Sequence, residues 1–164
     1  MNQPETVEPY GTLEAISQRA SFDTSDVQRM RDLATAFPDI AEVWDVLGDV
    51  IQLTHEGEIV ATEPVDCYQR AVACDPTYAP AHESLGCYHD LLGEFDDAER
   101  HFRAAIKHDG GDSPLIGLAR TLEQTGRHAE AIETMDQAKD QTDPALVELR
   151  SEIADGLWAM DDEE

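Results

Sequence analysis

Basic side chains are scarce in this chain. Lysine and arginine together number 11, against 36 aspartates and glutamates, and the formal net charge is −25. Nucleic-acid backbones and anionic membrane surfaces are attracted by patches of lysine and arginine, so we expect neither as a partner. The acidity either keeps the protein soluble in a salty cytoplasm or complements basic partners, and composition leaves both interpretations open.

Long hydrophobic runs are also missing. No apolar run approaches the roughly 18 residues that a membrane-spanning helix needs. Residues 1–9 have neither the basic stretch nor the apolar core of a signal peptide, and we expect them to be flexible. Cysteine is rare as well, and Cys67, Cys74 and Cys87 all fall in predicted helices. We therefore expect a cytoplasmic protein whose thiols are reduced and packed as small apolar groups, with a solvated acidic tail at residues 161–164.

The common catalytic signatures are absent. "HEGE" at residues 55–58 lacks the second histidine of the zinc-protease motif, and "HDGGDSP" at 108–114 has too few ordered acids for an EF-hand loop. The sequence contains no GxSxG, no phosphate-binding glycine loop and no dinucleotide fingerprint. Paired carboxylates such as Asp96 and Asp97 are typical of helix starts, where they complement the helix dipole. We predict no enzymatic activity, no cofactor and no metal.

Helical periodicity fills most of the chain, and alternating strand patterns are nearly absent. Ser113 and Asp143 each precede a proline, as N-capping residues do, and Gly93 and Gly126 stand where helices are expected to end. The predicted helices span residues 12–21, 24–36, 40–53, 64–74, 79–92, 95–108, 114–125, 128–139 and 144–159.

The helices repeat in pairs. Phe102 and Ala105 have counterparts 34 residues earlier in Tyr68 and Ala71. A longer set recurs after 33 residues: Leu85, Gly93, Ala98, Phe102 and Ala105 return as Leu118, Gly126, Ala131, Met135 and Ala138. A helix pair repeated at about this length is the mark of a solenoid.

These positions resemble the tetratricopeptide repeat (TPR) pattern W-x2-L-G-x2-Y, then A-x3-F, then P. The matching residues are Trp44, Leu47, Gly48, Ile51, Tyr68, Ala71 and Pro76 in one unit, His82, Leu85, Gly86, His89, Ala98, Phe102 and Ala105 in the next, and Leu115, Leu118, Ala119, Leu122, Ala131, Met135 and Ala138 in the third. The resemblance implies an all-α, right-handed α-solenoid of about three and a half antiparallel helix pairs plus a C-terminal capping helix.

The resemblance also divides the chain. It implies one TPR domain over residues 10–160, with units at 10–38 (degenerate), 41–76, 79–110 and 112–143 and a capping helix at 144–160. In such units small residues let paired helices approach, as Gly48 and Gly86 would do, and large rings fill the remaining space. The cap should present one apolar stripe to its neighbours, formed by Leu146, Leu149, Ile153 and Leu157.

Four histidines fall within residues 81–109: His82, His89, His101 and His108. His82 and His89 occupy the places of the motif's tryptophan and tyrosine, so packing is the favoured interpretation. The alternative is a zinc site, because stacked second helices would bring Cys67 towards His101 and Cys74 towards His108. The chain has no CxxC motif to support it.

The resemblance places a peptide-binding surface on the concave face, along the first helix of each pair. The expected groove residues are Glu42, Asp45, Asp49, Gln52, Glu83, Cys87, Asp90, Ile116, Arg120, Glu123 and Gln124. Six are acidic and one is basic, which implies a protein or peptide partner with a basic or amphipathic segment.

Binding of acidic chaperone tails is rejected. The lysine, asparagine and arginine clamp that holds them in some TPR domains is missing, because its positions carry Asp45, Asp49, Ser84, Ser113 and Gly117. Two other interpretations stay open. A solvated acidic face without a ligand is one alternative. Another is self-association as a homodimer, which would use apolar surface left uncovered in the degenerate first unit, at Phe22, Met30 and Phe37.

Overall fold

The structure is a computed structural model that describes residues 9–54 and 62–155. The predicted flexible N-terminus up to residue 8, the "HEGE" segment, Leu157 and the acidic tail lie outside the described residues. Within the described ranges the chain forms helices and no strand, as the periodicity predicted. The helices are α1 (Pro9–Ser17), α2 (Thr24–Ala36), α3 (Ala41–Thr54), α4 (Thr62–Cys74), α5 (Ala79–Leu91), α6 (Phe95–Lys107), α7 (Ser113–Gln124), α8 (His128–Met135) and α9 (Pro144–Ala154). None of these described helices is long and apolar enough to cross a bilayer.

Local side-chain chemistry explains where several helices begin. Asp23 caps α2 by accepting hydrogen bonds from the backbone N–H groups of Ser25 and Asp26, and the Asp26 carboxylate in turn accepts a bond from the Asp23 N–H. Asp143 caps α9 as predicted. The predicted cap at Ser113 is wrong: Ser113 is the first residue of α7, and its hydroxyl donates to Glu83 instead.

Three helices differ from the prediction by three residues or more. Helix α1 begins three residues earlier, at Pro9, because a proline is tolerated in the first turn, and it ends four residues earlier, at Ser17. Helix α9 is described to Ala154, five residues short of the predicted end. Helix α8 ends at Met135, four residues early, and the chain continues in turns closed by bonds between residues three apart. The Gln141 side chain donates to the carbonyl oxygens of Met135 and Ala138, at 3.1 and 2.7 Å, which satisfies two acceptors of the last turns.

Glycine ends the first helix of two hairpins where the sequence predicted it. Gly93 and Gly126 have φ angles of 72° and 75°, a region that side chains with a Cβ rarely adopt. Each therefore allows the chain to reverse within a few residues, from α5 into α6 and from α7 into α8.

The chain forms two compact units, one ending at Ala81 and one beginning at His82, so the division falls within α5. In the first unit, α3 packs against α1, α2 and α4. Its core combines the apolar faces of these helices: Leu13, Ile16, Val27, Met30, Leu33, Ala34, Val43, Leu47, Val50, Ile51 and Cys67. Met30 is fully buried, and Phe22 and Phe37 are half-buried against the same core. The expectation of uncovered apolar surface is therefore wrong for Met30, and Phe22 and Phe37 are partly covered.

In the second unit, α7 packs against α6, α8 and α9. Its core holds Ala98, Phe102, Leu115, Ile116, Leu118, Ala119, Leu122, Ala131, Met135, Ala138, Leu146 and Leu149. Leu146 and Leu149 of α9 are buried, and Ile153 is half-buried against them. The described part of α9 thus covers the last helix pair with the predicted apolar stripe, and it ends at Ala154, with Asp155 as its C-cap.

Close helix approach within the pairs is confirmed. A Cβ atom built on Gly48 would lie 2.8 Å from Cδ1 of Tyr68, and one on Gly86 would lie 2.7 Å from Cδ1 of Phe102. Phe102 also fills the space beside Gly117, where a Cβ would come within 2.5 Å of its ring. Since real Cβ contacts of this length do not occur, these glycines are required by the packing.

Candidate protein-interaction surface

Helix α3, the first helix of the α3–α4 pair, carries three carboxylates on one face. Glu42, Asp45 and Asp49 follow each other at three- and four-residue spacing on α3, which places them in one row. Asp49 and Gln52 are exposed and Glu42 is half-buried. Asp45 is only 5% exposed, so its expected exposure is wrong. Helix α3 contains no basic residue, and the row is therefore uniformly anionic.

An aromatic ring that the sequence analysis missed lies beside this row. Tyr78, in the turn before α5, is half-buried and packs against the cluster of Ala41, Ala71 and Ala81. Burial raises the pKa of the Tyr78 phenol, and the charges of Asp45, Glu42 and Asp49 raise it further. All three carboxylates therefore act on one phenol. The available signal was the position of Tyr78 directly before a repeat boundary.

A second tyrosine holds the end of the row. The Tyr68 hydroxyl lies 2.9 Å from Oδ1 of Asp49 and 3.0 Å from Oε1 of Gln52, and its single proton can be donated to either. Tyr68 is fully buried. Burial raises the pKa of its phenol, and the charge of Asp49 raises it further. The hydroxyl therefore remains a donor, and it orients the exposed ends of Asp49 and Gln52.

In the second unit, the expected groove acids Glu83 and Asp90, on α5, accept hydrogen bonds from α7, the first helix of the next pair. Ser113 donates to Glu83, and the hydroxyl of Thr121 donates to Asp90 at 2.8 Å. Gln124 adds a weaker bond to Asp90 at 3.3 Å. Both acids are half-buried, so they join α5 to α7 across the surface.

The remaining groove positions divide by exposure. Cys87 and Arg120 are exposed. Ile116 is only 8% exposed and belongs to the core, and Glu123 is 0% exposed, so the expected exposure of both is wrong. Glu123 forms a short contact with Nδ1 of His128, while its other carboxylate oxygen, Oε1, is buried without a hydrogen-bond partner.

The four histidines come together in the second unit, between α5 and the end of α6. Nδ1 of His82 lies 3.2 Å from Nδ1 of His101, and both residues are 9% exposed. The His89 ring stacks on His101 at a centroid distance of 5.5 Å, and His108 stacks on His82 at 6.1 Å. Burial lowers the pKa of His101 to about 4, with Arg100, His82 and His89 adding to the effect. His101 is therefore a neutral packing group near pH 7, as the sequence suggested.

One mixed group of nitrogen and oxygen donors is present among the described residues. Ligand atoms of His89, Glu94 and Asp97 lie within 4.8 Å of one another. The cysteines are not part of it. Cys67 is buried and its pKa is raised to about 12 by burial, Cys74 donates to the Pro38 carbonyl at 3.3 Å, and none of these three described cysteines is in a disulfide. This finding does not support the zinc site that the sequence analysis built from cysteine and histidine.

Comparisons with known proteins agree with this geometry. Two family models, both described as tetratricopeptide repeat, match residues 67–100 and 91–153. The chain is a tetratricopeptide repeat protein. Its all-α fold is that of a TPR solenoid, and TPR folds are in general protein-interaction modules. No curated protein matches the chain by sequence.

Solved structures show the same fold at low sequence identity. The crystal structure of TTC0263, a thermophilic TPR protein in Thermus thermophilus, has a TM-score of 0.69 and 20% identity, covering 93% of this chain and 83% of the other. A crystal structure of MamA has a TM-score of 0.60 and 21% identity, covering 79% of this chain and 70% of the other. At these identities the likeness concerns the fold of this TPR chain.

Proposed function

We propose that this TPR protein is a non-catalytic adaptor that binds a basic or amphipathic peptide segment on its acidic first-helix faces. The observation that carries the proposal is the anionic row of Glu42, Asp45 and Asp49 on α3, whose charges also act on the Tyr78 phenol. A cationic side chain placed there would meet negative charge, and over the face of the Tyr78 ring it would gain a cation–π contact, so lysine or arginine is favoured.

Charge supports the same class of partner over a longer range. With a net charge of −25, the chain attracts cationic segments and repels anionic ones. This attraction raises the rate of association with cationic partners at low salt. The apolar contacts of an amphipathic segment would supply much of the affinity. In the second unit, Glu83 and Asp90 would contribute through their remaining lone pairs, because each already accepts hydrogen bonds from α7. The proposal places this adaptor in the cytoplasm, where the three cysteines, which form no disulfide in the described structure, stay reduced.

The double variant Glu42→Lys, Asp49→Lys tests this proposal. We expect crosslinking pull-down from a lysate of the source organism to recover a partner with the wild-type chain and to lose it with this variant. Asp45 is left intact, because a buried lysine would unfold the unit. The matched control is Asp32→Lys, Asp39→Lys, which makes the same charge change at exposed positions outside α3.

The control decides between specific recognition and bulk charge. Retained binding by the control and loss by the test variant support recognition by the α3 face. Equal recovery by the test variant contradicts the proposal, and equal loss in both variants reduces it to a nonspecific charge effect. Far-UV circular dichroism must show unchanged helix content in both.

A further inference from the structure

We propose that the turn between α5 and α6 binds a divalent transition-metal ion of the Zn²⁺ type through His89, Glu94 and Asp97. This metal site is separate from the acidic α3 face, and it contradicts our sequence-based expectation of no metal. One imidazole nitrogen and two carboxylate oxygens are a donor set that zinc uses, with water completing the coordination.

The reversal of the chain brings the three ligands together. His89 lies in the last turn of α5, Glu94 directly precedes α6, and Asp97 lies in its first turn. Gly93, with its positive φ, makes this tight connection possible. Nδ1 of His89 is 2.6 Å from Oε2 of Glu94, and the third ligand atom is within 4.8 Å of both. A bound ion would have to draw the half-exposed Glu94 and Asp97 side chains, by rotation, to the ligand separation of about 3.3 Å in a tetrahedral zinc site.

The neighbouring repeats show that this set is not required by the fold. The positions equivalent to His89 carry Ile51 and Leu122, both fully buried core residues. The positions equivalent to Glu94 and Asp97, 33 residues on, carry Arg127 and Glu130, which pair with each other at 2.6 Å. Of the two equivalent turns that the structure describes, the α5–α6 turn has His89 and Glu94 where the α7–α8 turn has Leu122 and Arg127.

The surroundings leave the site both fixed and accessible. The His89 ring stacks on the buried ring of His101 with an interplanar angle of 9°, and its side chain is only 15% exposed, so its orientation is set by packing. A cleft of about 370 Å³ adjoins the carboxylates and gives room for water ligands. Its lining residues are Gly93, Glu94, Phe95, Asp96, Asp97 and Thr125.

Two charges compete with the metal. Arg100 donates to Asp97 at 2.5 Å, and the His89–Glu94 contact holds a proton that the metal must displace. Arg100 is 64% exposed and can turn away into water. Replacing it by glutamine should therefore tighten metal binding, which separates a true site from a pre-existing ion pair.

The test is titration of the full chain, treated with a chelator and then dialysed, with ZnCl₂ by calorimetry and with CoCl₂ by visible absorption. We expect saturable binding of one ion per chain. His89→Gln and Asp97→Asn should each weaken it at least about tenfold, as loss of metal-site residues commonly does. Asp97 is half-exposed, so its variant stays folded if His89→Gln does not. The matched control, Asp96→Asn, removes an adjacent exposed carboxylate and should change the affinity less than about twofold.

Each other outcome overturns the site. Absence of saturable binding does so directly. Loss in only one of the two ligand variants contradicts the three-ligand arrangement, and equal weakening by Asp96→Asn reduces the effect to surface charge. A strong sulfur-to-cobalt charge-transfer band would assign the ion to cysteine ligands instead. None of these measurements depends on the peptide partner, so the metal site and the proposed adaptor function fail independently.

Discussion

The hairpins α5–α6 and α7–α8 occupy equivalent places in the repeat but differ at their turns. Arg127, at the start of the second hairpin's return helix, bonds to Glu130 at 2.6 Å and to Glu99 at 2.5 Å, and these bonds raise its pKa. The α5–α6 turn has Glu94 in the equivalent position and therefore lacks this internal cation. The repeat constrains the residues that pack, while turn residues are free to differ in charge.

The two hairpins also differ in the residues that pack between their helices, which we call packing seams. Phe102 in α6 meets Gly86 and Gly117, whereas its counterpart in α8 is the smaller Met135, which lies in the same core as Ala119. The larger Phe102 ring packs against glycines, and the smaller Met135 side chain lies in a core with an alanine. Substituting the large or the small residue of such a pair should therefore lower stability, in proportion to the side-chain volume removed or added.

The largest effect is expected from Phe102→Ala. This change removes the ring that packs against Gly86 and Gly117, and the resulting cavity should lower the free energy of unfolding by about 3–5 kcal/mol. Urea denaturation followed by circular dichroism measures it. Met135→Ala, in the other hairpin, should cost about 2–4 kcal/mol. A Phe102→Ala cost below that of Met135→Ala would contradict the seam described here.

The converse change, Gly86→Ala, should destabilise through overpacking. Its Cβ would overlap the Phe102 ring, and displacement of the ring or helix should cost about 1–3 kcal/mol, more than the helix propensity gained. Gly11→Ala is the control, because Gly11 is helical and has no atom near the added Cβ. Thermal unfolding should show a lower melting temperature for Gly86→Ala and an equal or higher one for Gly11→Ala; the same shift in both would refute the steric argument.

A smaller effect is expected from Tyr68→Phe. The ring still fills the space beside Gly48, and only the hydroxyl bond to Asp49 or Gln52 is lost, so the cost should be about 1 kcal/mol. Chemical denaturation of the purified variant provides the value. A loss as large as that of a ring deletion would show that the hydroxyl supports more of the α3–α4 interface than these two contacts.

The smallest change in stability is expected from Glu94→Arg, which gives the α5–α6 turn the charge pattern of α7–α8. A new ion pair with Asp97 should leave the free energy of unfolding within about 0.5 kcal/mol of wild type. Zinc binding, measured by calorimetry, should be lost. Retained zinc affinity would show that the difference between the two turns has no bearing on metal binding.

The features common to the repeats could be predicted from the sequence, but the burial and contacts of individual side chains mostly could not. Helix order, the glycine seams and the glycine turns follow from periodicity and sterics, and the structure confirms them. The burial of Asp45, Ile116 and Glu123 could not be predicted from their helix face, because it depends on the neighbours that cover that face. Tyr78 was missed because it lies in a turn between the periodic segments, and its position before a repeat boundary does not reveal which carboxylates act on it.

The hydrogen bonds from Ser113 and Thr121 to the acids of α5 have a consequence for recognition. Glu83 and Asp90 already accept hydrogen bonds from α7, so they have less rotamer freedom to lose on binding than a loose surface carboxylate has. If the proposed cationic segment docks on α5, it would meet acceptors whose positions α7 restricts, and partners with a matching spacing of positive charges would be favoured.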